Sequence, residues 1–165
     1  MDFSVVITTY NRPDYLEQSL KSVLAQHVQP KEIIVVDDNS ATSYDDVLSK
    51  FDDARIQYLK QPVSGGANVA RNRGVKESSG DIVAFLDDDD IWLPVYLDHH
   101  QEKYLDGADA VVSGFRHLGH ESKIRINSDT VVSKTSLIRG NHYCGMSGFS
   151  AKRDLLVDMP FDESL

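Results

Sequence analysis

A repeated alternation of short apolar runs with segments of helical periodicity constrains the fold of this chain more than any other feature. The clearest apolar runs cover residues 3–9, 32–36 and 81–86, and many of their residues are β-branched. Runs of this length and composition are typical of strands that are buried on both faces. A weaker run covers residues 55–59. The pattern in roughly the first half of the sequence therefore predicts four strands.

Segments with helical spacing separate these runs. Leu16, Leu20, Val23 and Leu24 line one face of a predicted helix that starts at Pro13, a residue suited to the first helical turn. Further helices are predicted over residues 44–51, 67–77, 94–105 and 152–157. Further strands are predicted over residues 108–114 and 146–150, and the pattern from 115 to 148 is weak. Strands that alternate with helices in this way predict an α/β fold with three layers and a mostly parallel sheet.

The length and the charge of the chain narrow its class. A chain of 165 residues, 41% of them hydrophobic, fits a single domain with a real core. The formal net charge of -9 argues against nucleic acid as a partner, because attraction to a phosphate backbone needs a surplus of Lys and Arg. A divalent cation could still mediate the binding of a phosphorylated ligand.

The N-terminus and the cysteine content bear on location. Residues 1–9 lack the basic segment and the long apolar stretch of a signal peptide or a membrane span. Cys144 is the only cysteine, so no disulfide can form within the chain, and we expect it to be a small, partly buried residue. These features predict a cytoplasmic protein.

Polar clusters follow three of the predicted strands at the points where the strands end. They are TTYN at residues 8–11, DDNS at 37–40 and DDDD at 87–90. In an open parallel sheet the ligand sits outside the carboxyl ends of the strands. We therefore expect the three clusters to line one crevice although they are far apart in sequence.

The run of aspartates at residues 87–90 predicts a cation site. Adjacent carboxylates repel one another, and in a partly desolvated crevice a cation is the simplest way to stabilise them. Oxygen ligands suit Mg²⁺ or Mn²⁺, which typically takes one or two carboxylates and completes its shell with phosphate and water. The alternative is an acidic loop that caps the following helix, but capping needs only one aspartate.

Two further residues suit a nucleobase. Asp38 could accept a hydrogen bond from the imide N–H of uracil, and Tyr10 offers an aromatic face for stacking. Neither signal is specific, because a single Asp at a strand end also fits a turn and a single Tyr also fits a core. The sequence has neither the phosphate loop of ATPases nor a dinucleotide fingerprint. His99 and His100 face different ways on a predicted helix, so we expect them at a surface or an interface rather than on zinc.

Four short motifs together resemble one enzyme family. They are VVITTYNR at residues 5–12, VVDDNS at 35–40, ARNRG at 70–74 and FLDDDD at 85–90. In order and spacing they resemble the inverting family 2 glycosyltransferases of the GT-A fold. The resemblance implies a metal-dependent enzyme of polysaccharide biosynthesis that transfers a sugar, with inversion, from a nucleotide-diphosphate donor to a saccharide or lipid-linked acceptor. UDP is the favoured nucleotide, and dTDP stays open because thymine presents the same N–H.

The resemblance also implies roles for particular residues. The implied donor-binding residues are Thr8, Tyr10, Asp38, Arg71, Asp87 and Asp88. Thr8, Tyr10 and Asp38 match positions that hold the nucleobase. Asp88 is placed to reach the ribose, and Asp89 to bind the metal, Mn²⁺ or Mg²⁺. Arg71 lies in the motif that packs beside the nucleotide.

The same resemblance predicts a division within the single domain of residues 1–165. Residues 1–114 correspond to the half that binds the nucleotide sugar, and residues 115–165 to the start of the acceptor-side half. In the family, a segment like 161–165 is followed by an acidic pair that contains the catalytic base, so the base is expected beyond Leu165. A chain that stops there is expected to bind a donor but to transfer little of it. Peripheral membrane association of a full-length protein is compatible with the resemblance.

Two other classes share part of the pattern. A haloacid-dehalogenase-type phosphohydrolase also ends an apolar strand in Asp-x-Asp, as at Asp87 and Asp89. It places this strand near the start of its domain and needs a later lysine and acidic pair, and no suitable acidic pair follows here. A non-enzymatic receiver module would bind a metal at Asp37 and Asp38 and accept phosphate at Asp87. Its lysine would be Lys134, but no proline follows it, and an extra strand and helix precede Asp37.

Overall fold

The structure, a computed structural model, describes residues 1–119, 124–125, 132–133 and 145–165. The strands are β1 (Phe3–Thr9), β2 (Glu32–Asp37), β3 (Ile56–Lys60), β4 (Ile82–Asp87), β5 (Ala110–Val112), β6 (Phe115–Arg116), β7 (Ile124–Arg125) and β8 (Phe149–Lys152). The α-helices are α1 (Pro13–Leu24), α2 (Asp45–Leu48), α3 (Ala67–Glu77), α4 (Tyr96–Leu105) and α5 (Arg153–Asp158).

The main sheet has six strands in the order β3-β2-β1-β4-β8-β5, and β6 pairs with β7 in a separate ribbon. The strands β3, β2, β1 and β4 are mutually parallel, whereas β8 runs antiparallel to both β4 and β5. The predicted mostly parallel sheet is therefore confirmed. Because β2, β1 and β4 are neighbours, their carboxyl ends lie side by side at one edge of the sheet.

Helices cover both faces of the sheet, as the prediction of three layers requires. Side chains alternate along β1, so Val5 and Ile7 join one core cluster while Val6 joins the other. The first cluster includes residues of α1 and α4, and the second includes residues of α3 and α5. Both faces of the central strands are thus sealed from water, which explains their continuous apolar runs.

Gly74 lets α3 approach the sheet closely. A Cβ atom at this position would lie 2.3 Å from Cγ1 of Val6, closer than packed atoms allow. Glycine therefore sets the spacing between α3 and β1, and with it the position of Arg71 on the same helix.

Three predicted elements differ from the structure. The helix predicted over residues 44–51 ends at Leu48, because the amides of Lys50 and Phe51 bond to carbonyls three residues back in tighter turns. The strand predicted over 108–114 is only Ala110–Val112. The strand predicted over 146–150 starts at Phe149, after a 3₁₀ turn. Local patterns missed the limits of the two strands because these strands depend on pairing with distant segments.

The expectation that His100 lies at a surface or an interface is wrong. His100 is buried, and its Nδ1 lies 2.7 Å from Oγ of Ser150 on β8. Burial lowers the pKa of His100 to about 4. Cys144 and Lys134 lie outside the described residues. Among the helices that the structure does describe, none has the length and apolar character needed to cross a membrane.

Candidate functional site

The carboxyl ends of β1, β2 and β4 and the start of α3 line one cavity of about 520 Å³. All the residues predicted for donor and metal binding lie on its wall, namely Thr8, Tyr10, Asp38, Arg71, Asp87, Asp88 and Asp89. A larger cavity of about 720 Å³ lies elsewhere on the molecule, and its lining includes Gly80, Asp81 and Arg153 but none of the predicted residues. The structure therefore brings the predicted site residues together, and their individual roles stay predictions.

A rigid turn after β1 presents Tyr10 and Arg12 to the crevice. Asn11 adopts a positive φ of 55°, its backbone N–H donates to Oγ of Ser40, and its side-chain oxygen accepts from the amide of Ala41. These bonds tie the end of β1 to the end of β2. Tyr10 is 52% exposed, so its ring is open to a ligand.

Asp38 holds the loop that precedes α3. Its carboxylate accepts hydrogen bonds from the amides of Gly65 at 2.8 Å and Gly66 at 2.9 Å, from the hydroxyl of Ser64 at 2.7 Å and from Nε2 of Gln61 at 3.3 Å. Burial alone would raise the pKa of Asp38, but these donors outweigh it and hold the pKa below its ordinary value. This loop-holding function was missed from the sequence, because nothing local to Asp38 points to residues 64–66.

Asp37 lies outside the crevice lining although it is adjacent to Asp38. It is fully buried and accepts hydrogen bonds from the amide and hydroxyl of Ser40 and from the hydroxyl of Tyr58. Its carboxylate therefore closes a turn and fastens β3. This use does not fit the metal-binding aspartate pair of a receiver module.

Arg71 faces the first aspartate of the acidic run. Its Nη2 lies 2.9 Å from Oδ1 of Asp87, and its Nη1 donates to Asn68 on the same helix. The side chain is only 12% exposed, and within the described part of the chain no partner reaches its buried Nε. A largely buried cation at the cavity wall suits an anionic ligand such as phosphate.

Asp88 is the most buried of the aspartates at the cavity. It is 5% exposed, and it accepts a hydrogen bond from Oγ1 of Thr9 at 2.7 Å and a longer one from Nη1 of Arg12 at 3.3 Å. Burial raises the pKa of Asp88, and the hydroxyl of Thr9 and the charge of Arg12 offset only part of this effect.

Asp89 is half-exposed and pairs with Arg12, whose Nη1 lies 2.8 Å from its Oδ2. The same nitrogen of Arg12 therefore serves both Asp88 and Asp89. Arg12 was not singled out from the sequence, although it stands at the end of the VVITTYNR motif. From the sequence alone this arginine looks like an ordinary surface residue, because only the fold brings it beside the acidic run.

The acidic run offers carboxylates to a cation but no preformed cage among the described residues. Among the described residues no three carboxylate, histidine or cysteine side chains converge into a ready-made metal cluster. Asp89, whose carboxylate is about half-exposed, is accessible to an incoming ion. This fits Mg²⁺ or Mn²⁺ held by one or two carboxylates together with phosphate oxygens and water, and it does not fit a cage built by the protein alone.

Solved structures identify the fold. The chain is similar to S. aureus TarS 1-349 in complex with UDP, with a TM-score of 0.81 and 24% identity over 100% of this chain and 51% of that chain. It is also similar to the mannosyltransferase PcManGT from Pyrobaculum calidifontis in complex with GDP-Man and Mn²⁺, with a TM-score of 0.72 and 18% identity over 99% of this chain and 48% of that chain. The fold is that of the GT-A glycosyltransferases.

Sequence comparison then gives the family. Residues 4–154 match the model of Glycosyl transferase family 2. The chain belongs to this family, which removes the phosphohydrolase and receiver alternatives.

Two relatives illustrate the similarity. The GalNAc(5)-diNAcBac-PP-undecaprenol beta-1,3-glucosyltransferase of Campylobacter jejuni is 32% identical over 97% of this chain and 54% of that protein. The UDP-Glc:alpha-D-GlcNAc-diphosphoundecaprenol beta-1,3-glucosyltransferase WfgD of Escherichia coli is 38% identical over 54% of this chain and 36% of that protein. The chain spans about half or less of the length of the curated relatives it matches.

Proposed function

We propose that the crevice binds the nucleotide-diphosphate-sugar donor of an inverting, metal-dependent glycosyltransferase, and that the donor is a UDP-sugar. One observation carries this proposal. A single cavity joins an end with Asp38 and the open ring of Tyr10 to an acidic end at Asp87, Asp88 and Asp89. The base of a nucleoside diphosphate suits the first end, and its ribose and its cation-bound diphosphate suit the second.

The Asp38 end suits a uracil ring. Tyr10 offers a face on which the base stacks. Thr8 also lines the cavity, and its hydroxyl lies 3.4 Å from Oδ1 of Asp87. The oxygens of Asp38 already accept four hydrogen bonds, which fill the usual capacity of a carboxylate. The imide N–H of the base therefore takes the place of the longest bond, that of Gln61, while Asp38 keeps its hold on the loop.

The acidic end suits a ribose and a cation-bound diphosphate. Asp88 accepts from the ribose hydroxyls, Asp89 holds Mn²⁺ or Mg²⁺, and Arg71 lies beside the phosphates. When bound, the cation screens the diphosphate from the carboxylates and stabilises it as a leaving group.

The acceptor is a saccharide or a lipid-linked saccharide. The names of the Campylobacter jejuni and Escherichia coli relatives, which describe glucosyl transfer to undecaprenol-linked acceptors, support this choice. Residues 1–114 form the donor-binding half and residues 115–165 begin the acceptor side. A carboxylate base deprotonates the acceptor hydroxyl, which then displaces the nucleoside diphosphate with inversion.

A calorimetric comparison of UDP with CDP tests the proposal. The two nucleotides differ where the base faces Asp38, because cytosine presents an acceptor nitrogen in place of the imide N–H. We expect UDP to bind at least about 10-fold more tightly than CDP, since CDP leaves a buried acceptor facing a carboxylate. Mn²⁺ should strengthen both, and should strengthen UMP far less because UMP lacks the β-phosphate. Equal affinities for UDP and CDP, or no binding of either, would contradict the proposal.

A further inference from the structure

Tyr44 lies outside the lining of the crevice, yet its hydroxyl contacts the residues that hold Asp88. The side chain is 1% exposed, it precedes α2, and its ring lies 5.9 Å from that of Tyr58 between centroids. By burial and packing alone it is an ordinary core residue. The contacts of its hydroxyl group distinguish Tyr44 from an ordinary core residue.

The hydroxyl of Tyr44 has three polar neighbours. Oγ1 of Thr9 lies at 2.7 Å, the backbone nitrogen of Arg12 at 3.0 Å and Oγ of Ser40 at 3.4 Å. The N–H of Arg12 can only donate, so the oxygen of Tyr44 accepts from it. Ser40 gives its own proton to Asp37.

These constraints fix the direction of a chain of hydrogen bonds. Thr9 has one hydroxyl proton, and it donates this proton to Asp88 at 2.7 Å. Thr9 therefore accepts from Tyr44, whose proton points to its shortest neighbour. The chain runs from the amide of Arg12 through the hydroxyls of Tyr44 and Thr9 to the carboxylate of Asp88.

Two of the groups that hold Asp88 thus depend on one hydroxyl group, and the backbone N–H of Tyr10 is a third contact. Thr9 bonds to Oδ2 of Asp88, and Nη1 of Arg12 lies 3.3 Å from Oδ1. Tyr44 orients the hydroxyl of Thr9 directly and anchors the backbone from which the side chain of Arg12 extends. A carboxylate held at both oxygens by groups with a common anchor has a defined orientation.

We propose that Tyr44 is a positioning residue for donor binding: its hydroxyl orients Thr9 and Arg12 so that Asp88 presents its carboxylate to the ribose hydroxyls. The inference rests on the proposed function, because it needs a ribose beside Asp88. It adds to that function a residue that does not itself touch the donor.

The test compares Tyr44→Phe with Tyr58→Phe. Each variant removes one phenolic hydroxyl from the same aromatic pair, but the hydroxyl of Tyr58 bonds to Asp37 at 2.6 Å and not to the Asp88 network. Calorimetry with Mn²⁺ gives the affinities of UDP and of 2′,3′-dideoxy-UDP for each protein, and urea unfolding confirms that each protein is folded. The ratio of the two affinities isolates the ribose hydroxyls from any general loss of binding.

We expect Tyr44→Phe to weaken UDP binding by about 3- to 10-fold and to leave the affinity for dideoxy-UDP unchanged, so that the ratio shrinks. Tyr58→Phe should keep the parent ratio. Thr9→Val breaks the same chain one step later and should shrink the ratio in the same way, so it carries the test if Tyr44→Phe does not fold.

The other possible outcomes contradict either the positioning role of Tyr44 or the proposed function. A parent ratio in both Tyr44→Phe and Thr9→Val, or an equal change in Tyr44→Phe and Tyr58→Phe, overturns the positioning role while UDP binding itself stands. A parent protein that binds UDP without preferring the ribose hydroxyls also overturns it. A parent protein that does not bind UDP overturns the proposed function.

Discussion

The ends of β2 and β4 both carry adjacent aspartates, but the protein treats the two pairs differently. Asp37 and Asp38 accept from backbone amides, hydroxyls and an amide side chain, with one ammonium, that of Lys60, 4.0 Å from Asp37. The run 87–90 instead relies on the charges of Arg71 and Arg12, helped by hydroxyl groups. Among the described residues, two guanidinium groups therefore balance only part of the charge of the four carboxylates.

The contrast shows how one crevice can present two kinds of surface. At the end of β2, neutral donors form hydrogen bonds with the carboxylates, and they hold the pKa of Asp38 below its ordinary value despite its burial. The β4 end keeps excess negative charge, and burial raises the pKa of Asp88 in spite of its partners. A neutral nucleobase that forms hydrogen bonds suits the end of β2, and a cation with its phosphates suits the end of β4.

Asp89→Ala should have the largest effect, because it removes the carboxylate available to the cation. We expect the Mn²⁺-dependent part of UDP affinity to disappear, a loss on the order of 3 kcal/mol, because the carboxylate and the cation become a desolvated pair once the diphosphate covers them. Calorimetry with Mn²⁺ and with EDTA measures it. Equal UDP affinity in variant and parent with Mn²⁺ present would refute the role of Asp89.

Asp38→Asn tests the neutral end. It should weaken UDP binding by roughly 1.5–3 kcal/mol, towards the lower value because an amide oxygen can still accept from the base. Asp37→Asn is the matched control, since its carboxylate bonds to a turn and to β3 instead of the crevice. It should lower the urea midpoint and keep the UDP affinity of the parent. If both variants lose UDP equally, the two neighbouring aspartates do not have separate functions.

Arg12→Gln tests the charge balance at the acidic end. Removing a guanidinium from beside Asp88 and Asp89 should tighten nucleotide-free Mn²⁺ binding roughly 5-fold, or about 1 kcal/mol, the upper size of an exposed charge interaction that water screens. Arg73→Gln removes the same charge from an exposed pair with Glu77 and should leave Mn²⁺ binding unchanged. The free Mn²⁺ signal in electron paramagnetic resonance reports the affinity. Weaker binding in Arg12→Gln would mean that Arg12 supports the cation site.

Acid unfolding gives the smallest effect, because burial of Asp38 works against its hydrogen bonds. Its folded pKa lies below the ordinary 3.8, so its stabilising contribution is present above that value and is lost as the pH falls through the folded pKa. Urea midpoints at about pH 6 and about pH 3 should therefore fall less in Asp38→Asn than in the parent. An identical fall would show that the carboxylate adds nothing to the loop at residues 64–66.

The elements that position the crevice could be predicted because their signals are local. Strands sealed on both faces need continuous apolar runs, and β1, β2 and β4 follow the predicted bounds to within one residue. Parallel order then places their polar ends together. The place of the acidic run follows from its position in the sequence, whereas the exposure of the Tyr10 ring is known only from the structure.

Contacts between distant segments could not be predicted in the same way. Nothing in the pattern shows that β8 inserts antiparallel between β4 and β5. Ser150 on this strand is the hydrogen-bond partner of the buried His100. The loop donors to Asp38 and the pairing of Arg12 with Asp89 likewise arise only when the fold brings separate segments together.

If this crevice holds a nucleoside diphosphate together with a divalent cation, paramagnetic NMR should locate the cation among the crevice residues. Mn²⁺ is added in small amounts to the ¹⁵N-labelled chain saturated with UDP and Mg²⁺. We predict that amide signals of residues 8–12, 66–71 and 87–90 broaden, while those of Gly80 and Arg153 at the other cavity do not. Broadening centred on Gly80 and Arg153, with none at residues 8–12, 66–71 and 87–90, would contradict this assignment.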